Sequence, residues 1–98
     1  MRQDILVSYD VNTQDTPGRA RLRRMAKALK NFGQRVQDSV FECSVDDVGF
    51  ERLRKKTVAI IDPEKDSLRI YRLGARREEC VESFGLDKYF DFDEPMVV

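Results

Sequence analysis

The residue best suited to chemistry is Asp10, an acid at the end of an otherwise apolar run, DILVSYDV over residues 4–11. Strands are depleted in acids, so a carboxylate there needs a reason. One reading is a loop-capping Asp, because structural carboxylates are common where strands run into turns. The other is a ligand for a hard cation, for which a single carboxylate is a poor site. A two-fold dimer changes this, because two copies of Asp10 would face each other and repel unless a cation or a shared proton bridges them. Magnesium suits such oxygen ligands and can activate a bound water against a phosphodiester. Other chemistries drop out. The chain has no histidine and no tryptophan, which removes Ser/His/Asp and Cys/His nucleophile systems, imidazole bases and every His-containing zinc or non-haem iron site.

A second feature concerns charge. The chain carries 18 basic and 18 acidic residues, but they are segregated. Residues 19–35 hold seven basic residues (Arg19, Arg21, Arg23, Arg24, Lys27, Lys30, Arg35) and no acid, while residues 78–98 hold seven acids and only Lys88. A helix normally mixes signs to gain i,i+4 pairs, and stacking like charges costs a few tenths of a kcal/mol per pair, so a partner anion such as phosphate is expected. The Debye length of roughly 8 Å in physiological salt hides the distant acids from that surface. A solvated helix face is the plainer alternative. The two cysteines, Cys43 and Cys80, form no CxxC pair, so neither a thioredoxin-like motif nor a zinc knuckle is available and a reduced, cytoplasmic chain is expected. The only uninterrupted apolar run near the start is Ile5, Leu6 and Val7, too short for a signal peptide or a membrane span.

The elements that must position these residues follow from periodicity. Ile5, Val7, Tyr9 and Val11 alternate with Leu6, Ser8 and Asp10, a strand that puts Asp10 on the face opposite Tyr9. After the NTQDTPG loop, Asp15 or Thr16 can cap a helix with Pro17 in its first turn. Leu22, Met25, Ala26, Leu29 and Phe32 form its buried stripe before Gly33 stops it. Arg19, Arg23, Arg24, Lys27 and Lys30 occupy its remaining surface. Residues 34–45 read as two strands broken near Gln37 and Asp38, with Phe41, Cys43 and Val45 on one face. Asp46 and Asp47 cap a second helix with Phe50, Leu53, Thr57 and Ile60/Ile61 buried, ending at Asp62-Pro63, and residues 67–73 make another strand.

The order β-α-β-β-α-β predicts an α+β ferredoxin-like plait: a four-stranded antiparallel sheet with both helices on one face. One domain spans 1–98, with a core over 1–75 and a C-terminal tail over 76–98 that is too polar for an internal strand and too apolar to hang free. That tail is expected to dock, on its own sheet or on a partner subunit. Its DFDE run lacks the spacing and glycine of a calcium loop. Tyr9 and Phe41 invite comparison with RNA-recognition motifs, which stack bases on sheet aromatics, but SVFECSV lacks that module's basic-Gly-aromatic start.

Taken together, ILVSYDV, RARLRRMAKALKNFGQRVQDSVFEC and KDSLRIYRLG resemble the small CRISPR-associated protein of the spacer-acquisition module, the Cas-two family, partner of the Cas-one integrase. The resemblance runs over essentially the whole chain. It implies a ferredoxin-like homodimer in which Asp10 from both chains binds magnesium at the interface, with metal-dependent endonuclease activity on single-stranded RNA or double-stranded DNA. It further implies that Tyr9, Arg19, Arg35, Ser39 and Phe41 affect activity or line the interface. The tail resembles those that pack on the neighbouring subunit. A second role implied by the same resemblance is a non-catalytic DNA-binding scaffold that bridges integrase dimers during spacer integration, its basic residues gripping phosphate.

Overall fold

Alternation sets the two faces of the sheet. In the computed structural model, which describes residues 2–74 and 81–86, strand β1 (Gln3–Asp10) buries Ile5, Val7 and Tyr9 and turns Asp4, Leu6, Ser8 and Asp10 the other way. Strand β3 (Val40–Val45) does the same with Phe41, Cys43 and Val45 against Val40, Glu42 and Ser44. Register ties the two patterns together: Ile5 lies opposite Cys43 and Val7 opposite Phe41, so the buried sets share one face. β4 (Ser67–Arg72) joins the other side of β1, with Val7 opposite Ile70 and Tyr9 opposite Leu68. β2 (Gly33–Gln37) pairs with β3 through a bulge between Arg35 and Gln37, and the chain turns at Asp38 and Ser39, next to the break read near Gln37 and Asp38.

Both helices begin at the expected caps. Asp15 accepts from the Gly18 N–H at 2.8 Å ahead of α1 (Thr16–Leu29), and Asp46 accepts from the Gly49 N–H at 2.7 Å ahead of α2 (Asp47–Ile60). α1 ends one turn earlier than its apolar stripe suggests. Phe32, the last residue of that stripe, lies past the helix in a turn where its N–H donates to the Leu29 carbonyl at 2.9 Å. Met25, Ala28 and Leu29 from α1 and Phe50, Leu53 and Ile60 from α2 form one core with the buried face of the sheet. Each large apolar side chain removed from water there contributes about 1.5–3 kcal/mol.

The sheet is the antiparallel ferredoxin-like plait, with strand order β2-β3-β1-β4-β5. It has five strands where four were expected. β5 (Val81–Gly85), from the segment read as a docking tail, pairs antiparallel with β4 of its own chain, Phe84 opposite Leu68. Its polarity is compatible with this place because an edge strand is covered on one side only, and because Glu82 is matched by Arg54 at 2.6 Å and Arg72 at 3.8 Å. The rest of the tail expected to pack on a partner, residues 76–80 and 87–98, lies outside the described residues, as does Cys80. Among the described residues no helix is long and apolar enough to cross a membrane.

Candidate active site at the end of the first strand

Asp10 is the last residue of β1, exposed, on the sheet face that carries no helix and opposite Ser67 of β4. The chain that leaves it is held tightly. Val11 is buried, and the Asn12 N–H donates to Asp66 Oδ1 at 2.9 Å. The Gln14 N–H donates to Asn12 Oδ1 at 3.0 Å, and Asp15 then caps α1. Asp66 is 0% exposed and also accepts Arg21 Nε at 2.8 Å and the Asp62 N–H at 2.8 Å. Burial pushes the Asp66 carboxyl up, but the Arg21 guanidinium and the two backbone N–H groups outweigh it and hold the pKa below its ordinary value.

On the other side of Asp10 stands the β2–β3 turn. The Tyr9 N–H donates to the Ser39 carbonyl at 3.1 Å, and its hydroxyl makes a long 3.5 Å contact to the Asp38 carbonyl. The Tyr9 and Phe41 rings stack with centroids 6.4 Å apart at 25°, and the Arg35 guanidinium lies 5.5 Å from the Phe41 centroid. Burial raises the Tyr9 phenol above its ordinary pKa, against the lowering influence of Arg35 beside it. An open groove of about 500 Å³ is lined there by Ser8, Tyr9, Gln37, Asp38, Ser39 and Val40. Tyr9, Arg35, Ser39 and Phe41 therefore meet in one cluster next to the strand end that bears Asp10. Tyr9 at 4% exposure and Phe41 at 0% both point under the helices, so neither offers a ring to bases on the open face, as an RNA-recognition motif would. Arg19 stands apart from this cluster. Its guanidinium donates to the Thr13 carbonyl at 3.3 Å and to Thr16 Oγ1 at 2.9 Å, bracing the loop between β1 and α1.

The basic surface is real but differs in membership from the sequence window. Arg19, Arg23, Arg24, Lys27 and Lys30 are all exposed. Arg21 is withdrawn from it by Asp66, with its side chain 12% exposed. α2 contributes a residue that charge windows along α1 do not show. Lys56 shares with Arg24 and Lys27 a groove of about 320 Å³ between the helices, floored by Ala28, Ala59 and Ile60.

A β-α-β-β-α-β-β chain with a carboxylate at this strand end and a basic first helix finds clear counterparts among known proteins. The family model described as CRISPR associated protein Cas2 matches residues 3–80. The chain belongs to the Cas2 family. The CRISPR-associated endoribonuclease Cas2 1 of Moorella thermoacetica is 47% identical over 94 residues, covering 96% of this chain and 98% of its own. The CRISPR-associated endonuclease Cas2 of Halalkalibacterium halodurans is 47% identical over 93 residues, covering 95% and 97%. Among solved structures, Streptococcus pyogenes Cas2 at pH 6.5 superposes with a TM-score of 0.68 at 47% identity, over 78% of this chain and 92% of that one. A second Cas2 crystal structure has a TM-score of 0.64 at 26% identity, over 100% and 98%.

No cluster of three or more His, Cys, Asp or Glu capable of holding a metal occurs among the described residues. Asp66 is the residue that sequence reasoning missed. An Asp in a turn following Asp62-Pro63 looks like ordinary turn chemistry, and its partner Arg21 is 45 residues away.

Proposed function

We propose that this Cas2 chain is a metal-dependent endonuclease of CRISPR adaptive immunity that acts as a homodimer, with Asp10 of two copies as the ligands for magnesium. The observation that carries the reading is an exposed carboxylate at the end of β1, on the one sheet face that neither helix covers. That face mixes half-buried Leu6, Val40 and Tyr71 with Ser8 and Arg69, a composition that a second copy would cover. A two-fold axis near the end of β1 would bring the Asp10 carboxylates together. A divalent cation bound there supplies Lewis-acid polarisation of a phosphodiester and a bound water of lowered pKa. The relatives named endoribonuclease and endonuclease support the reaction class.

The chain's own residues divide the remaining work. Arg35 is exposed beside the Tyr9–Phe41 stack, at the rim of the helix-covered face, where it can pair with a phosphate of a bound nucleic acid. Tyr9 and Phe41 hold the β2–β3 turn and Ser39 in place, acting through position because both are buried. Arg19, Arg23, Arg24, Lys27 and Lys30 supply charge for a nucleic-acid backbone. The test is cleavage of labelled single-stranded RNA and duplex DNA, with magnesium or with chelator, by wild type and Asp10→Ala. Magnesium-dependent cleavage absent from the variant is expected, with an unchanged circular dichroism spectrum because Asp10 is exposed. Equal cleavage by the two proteins sinks the reading.

A second reading has an observation of its own. The exposed cations of α1 continue across the inter-helix groove to Lys56, forming a basic surface on the helix layer, away from the sheet face that bears Asp10. Such a surface serves a non-catalytic scaffold that holds duplex DNA and bridges Cas-one integrase dimers. In that case Asp10→Ala binds DNA and integrase as wild type does, and cleavage is absent from both proteins.

A further inference from the structure

We infer that Asp66 is the positioning residue for Asp10, clamping the chain just beyond that carboxylate. The inference rests on the proposed role of Asp10. Ser67 lies opposite Asp10 in the β1–β4 register, and Asp66 is the residue immediately before it. From there its carboxylate reaches back to the Asn12 N–H at 2.9 Å, two residues beyond Asp10. The same carboxylate accepts Arg21 Nε at 2.8 Å, Arg21 Nη2 at 3.3 Å and the Asp62 N–H at 2.8 Å. Its lone pairs are fully used, so its orientation is fixed. The Asp66 backbone carbonyl accepts the Leu86 N–H at 2.8 Å, and a side chain at Gly85, whose φ is +82°, would strike that carbonyl. The exits of β1, α2 and β5 and the second turn of α1 therefore converge on one residue. The loop has no slack on its far side either, since a Cβ at Gly18 would run into the Asn12 carbonyl.

Fold stability alone does not call for this arrangement. A well-packed apolar pair is often as stabilising as a buried ion pair. What an apolar pair lacks is an acceptor for the Asn12 N–H, the bond that fixes where β1 ends and so where Asp10 points.

Asp66→Asn keeps the shape and removes the charge, and Glu82→Gln, which weakens the Arg54 and Arg72 contacts of β5, serves as a control for general loosening. In full-length protein, Asp66→Asn is expected to shift the Asn12 amide resonance and raise backbone mobility over residues 10–12 by NMR relaxation. Cleavage should fall by about 100-fold, with a higher magnesium requirement, as a misplacement of about 1 Å can produce. Glu82→Gln should leave both readouts near wild type. Residues 10–12 as ordered as in wild type, or cleavage within about twofold of wild type in folded Asp66→Asn, overturns the inference. If Asp66→Asn fails to fold, Asp66→Glu, which keeps the charge but moves the carboxylate by one methylene away from the Asn12 N–H, takes its place with the same expectations. Should Asp10→Ala cleave like wild type, the proposed function fails, and the mobility of residues 10–12 still decides whether Asp66 clamps the loop.

Discussion

Arg21→Met probes the buried pair beneath the candidate site, and its cost can be worked out from the contacts. Asp66 is wholly buried, and Arg21 meets it at 2.8 Å with 12% of its side chain exposed. Methionine keeps the unbranched apolar stem and removes the charge. Breaking a buried pair from one side costs about 3–5 kcal/mol, because the other charge stays behind uncompensated. Asp66 would keep the Asn12 and Asp62 N–H groups at 2.9 and 2.8 Å, which places the expected loss near the lower end, about 3 kcal/mol. A domain of 98 residues has about 5–15 kcal/mol to lose, so the variant folds with a reduced margin. Urea melts at fixed protein concentration, followed by circular dichroism, measure the loss. The pH dependence gives a second handle on the same pair. In wild type the folded pKa of Asp66 is lowered, so its contribution is present above the unfolded value of about 3.9 and is lost as pH falls through the folded value. In Arg21→Met burial acts with less opposition and the folded pKa rises, so the gap to wild type narrows as pH drops from about 7 toward 4. A loss below about 1 kcal/mol, or a gap that stays constant over that range, refutes the assignment of a buried, charge-compensated Asp66.

Three further outcomes are expected. Arg23→Glu with Lys27→Glu weakens duplex binding and flattens its salt dependence, and unchanged binding in a filter or anisotropy titration rules out α1 as the contact. Cys43 is buried, and burial pushes its thiol up to about 11, so native protein at pH 8 should resist alkylation at Cys43 until denaturant is added, and rapid labelling seen by peptide mass spectrometry contradicts this. Because β5 spans Val81–Gly85, deleting residues 76–98 strips an edge strand from the sheet, so the tail itself is tested by deleting 87–98. That deletion is expected to weaken the dimer in sedimentation while the circular dichroism spectrum is kept, and unchanged self-association overturns the docking of the tail on a partner.

Much of the fold is written in local pattern. The alternation around Tyr9 and Asp10 assigns them opposite faces, and Asp15 and Asp46 mark both helix starts because a short acceptor before a periodic apolar run has one favourable use. What stays hidden is long-range. Glu82 makes residues 81–85 look too polar for a sheet until Arg54 and Arg72, from α2 and β4, are beside it. Arg21 reads as one more surface cation, and Asp66 as one more turn acid, because their pairing depends on how α1 lies against the β4 entrance. Lys56 joins the basic surface only through the packing of α2 on α1. Tyr9 and Phe41 show the reverse case, in which strand parity is legible but the side that the helices cover comes from the tertiary fold.

The sharpest measurement is a mixed-dimer titration. Wild type and Asp10→Ala are combined at constant total concentration, allowed to exchange subunits, and assayed for magnesium-dependent cleavage. If the metal needs both Asp10 carboxylates, mixed dimers are inactive and an equal mixture retains about one quarter of the wild-type rate. A rate of about one half, falling linearly with the fraction of variant, would mean that each chain works alone and would contradict a shared site between two copies of Asp10.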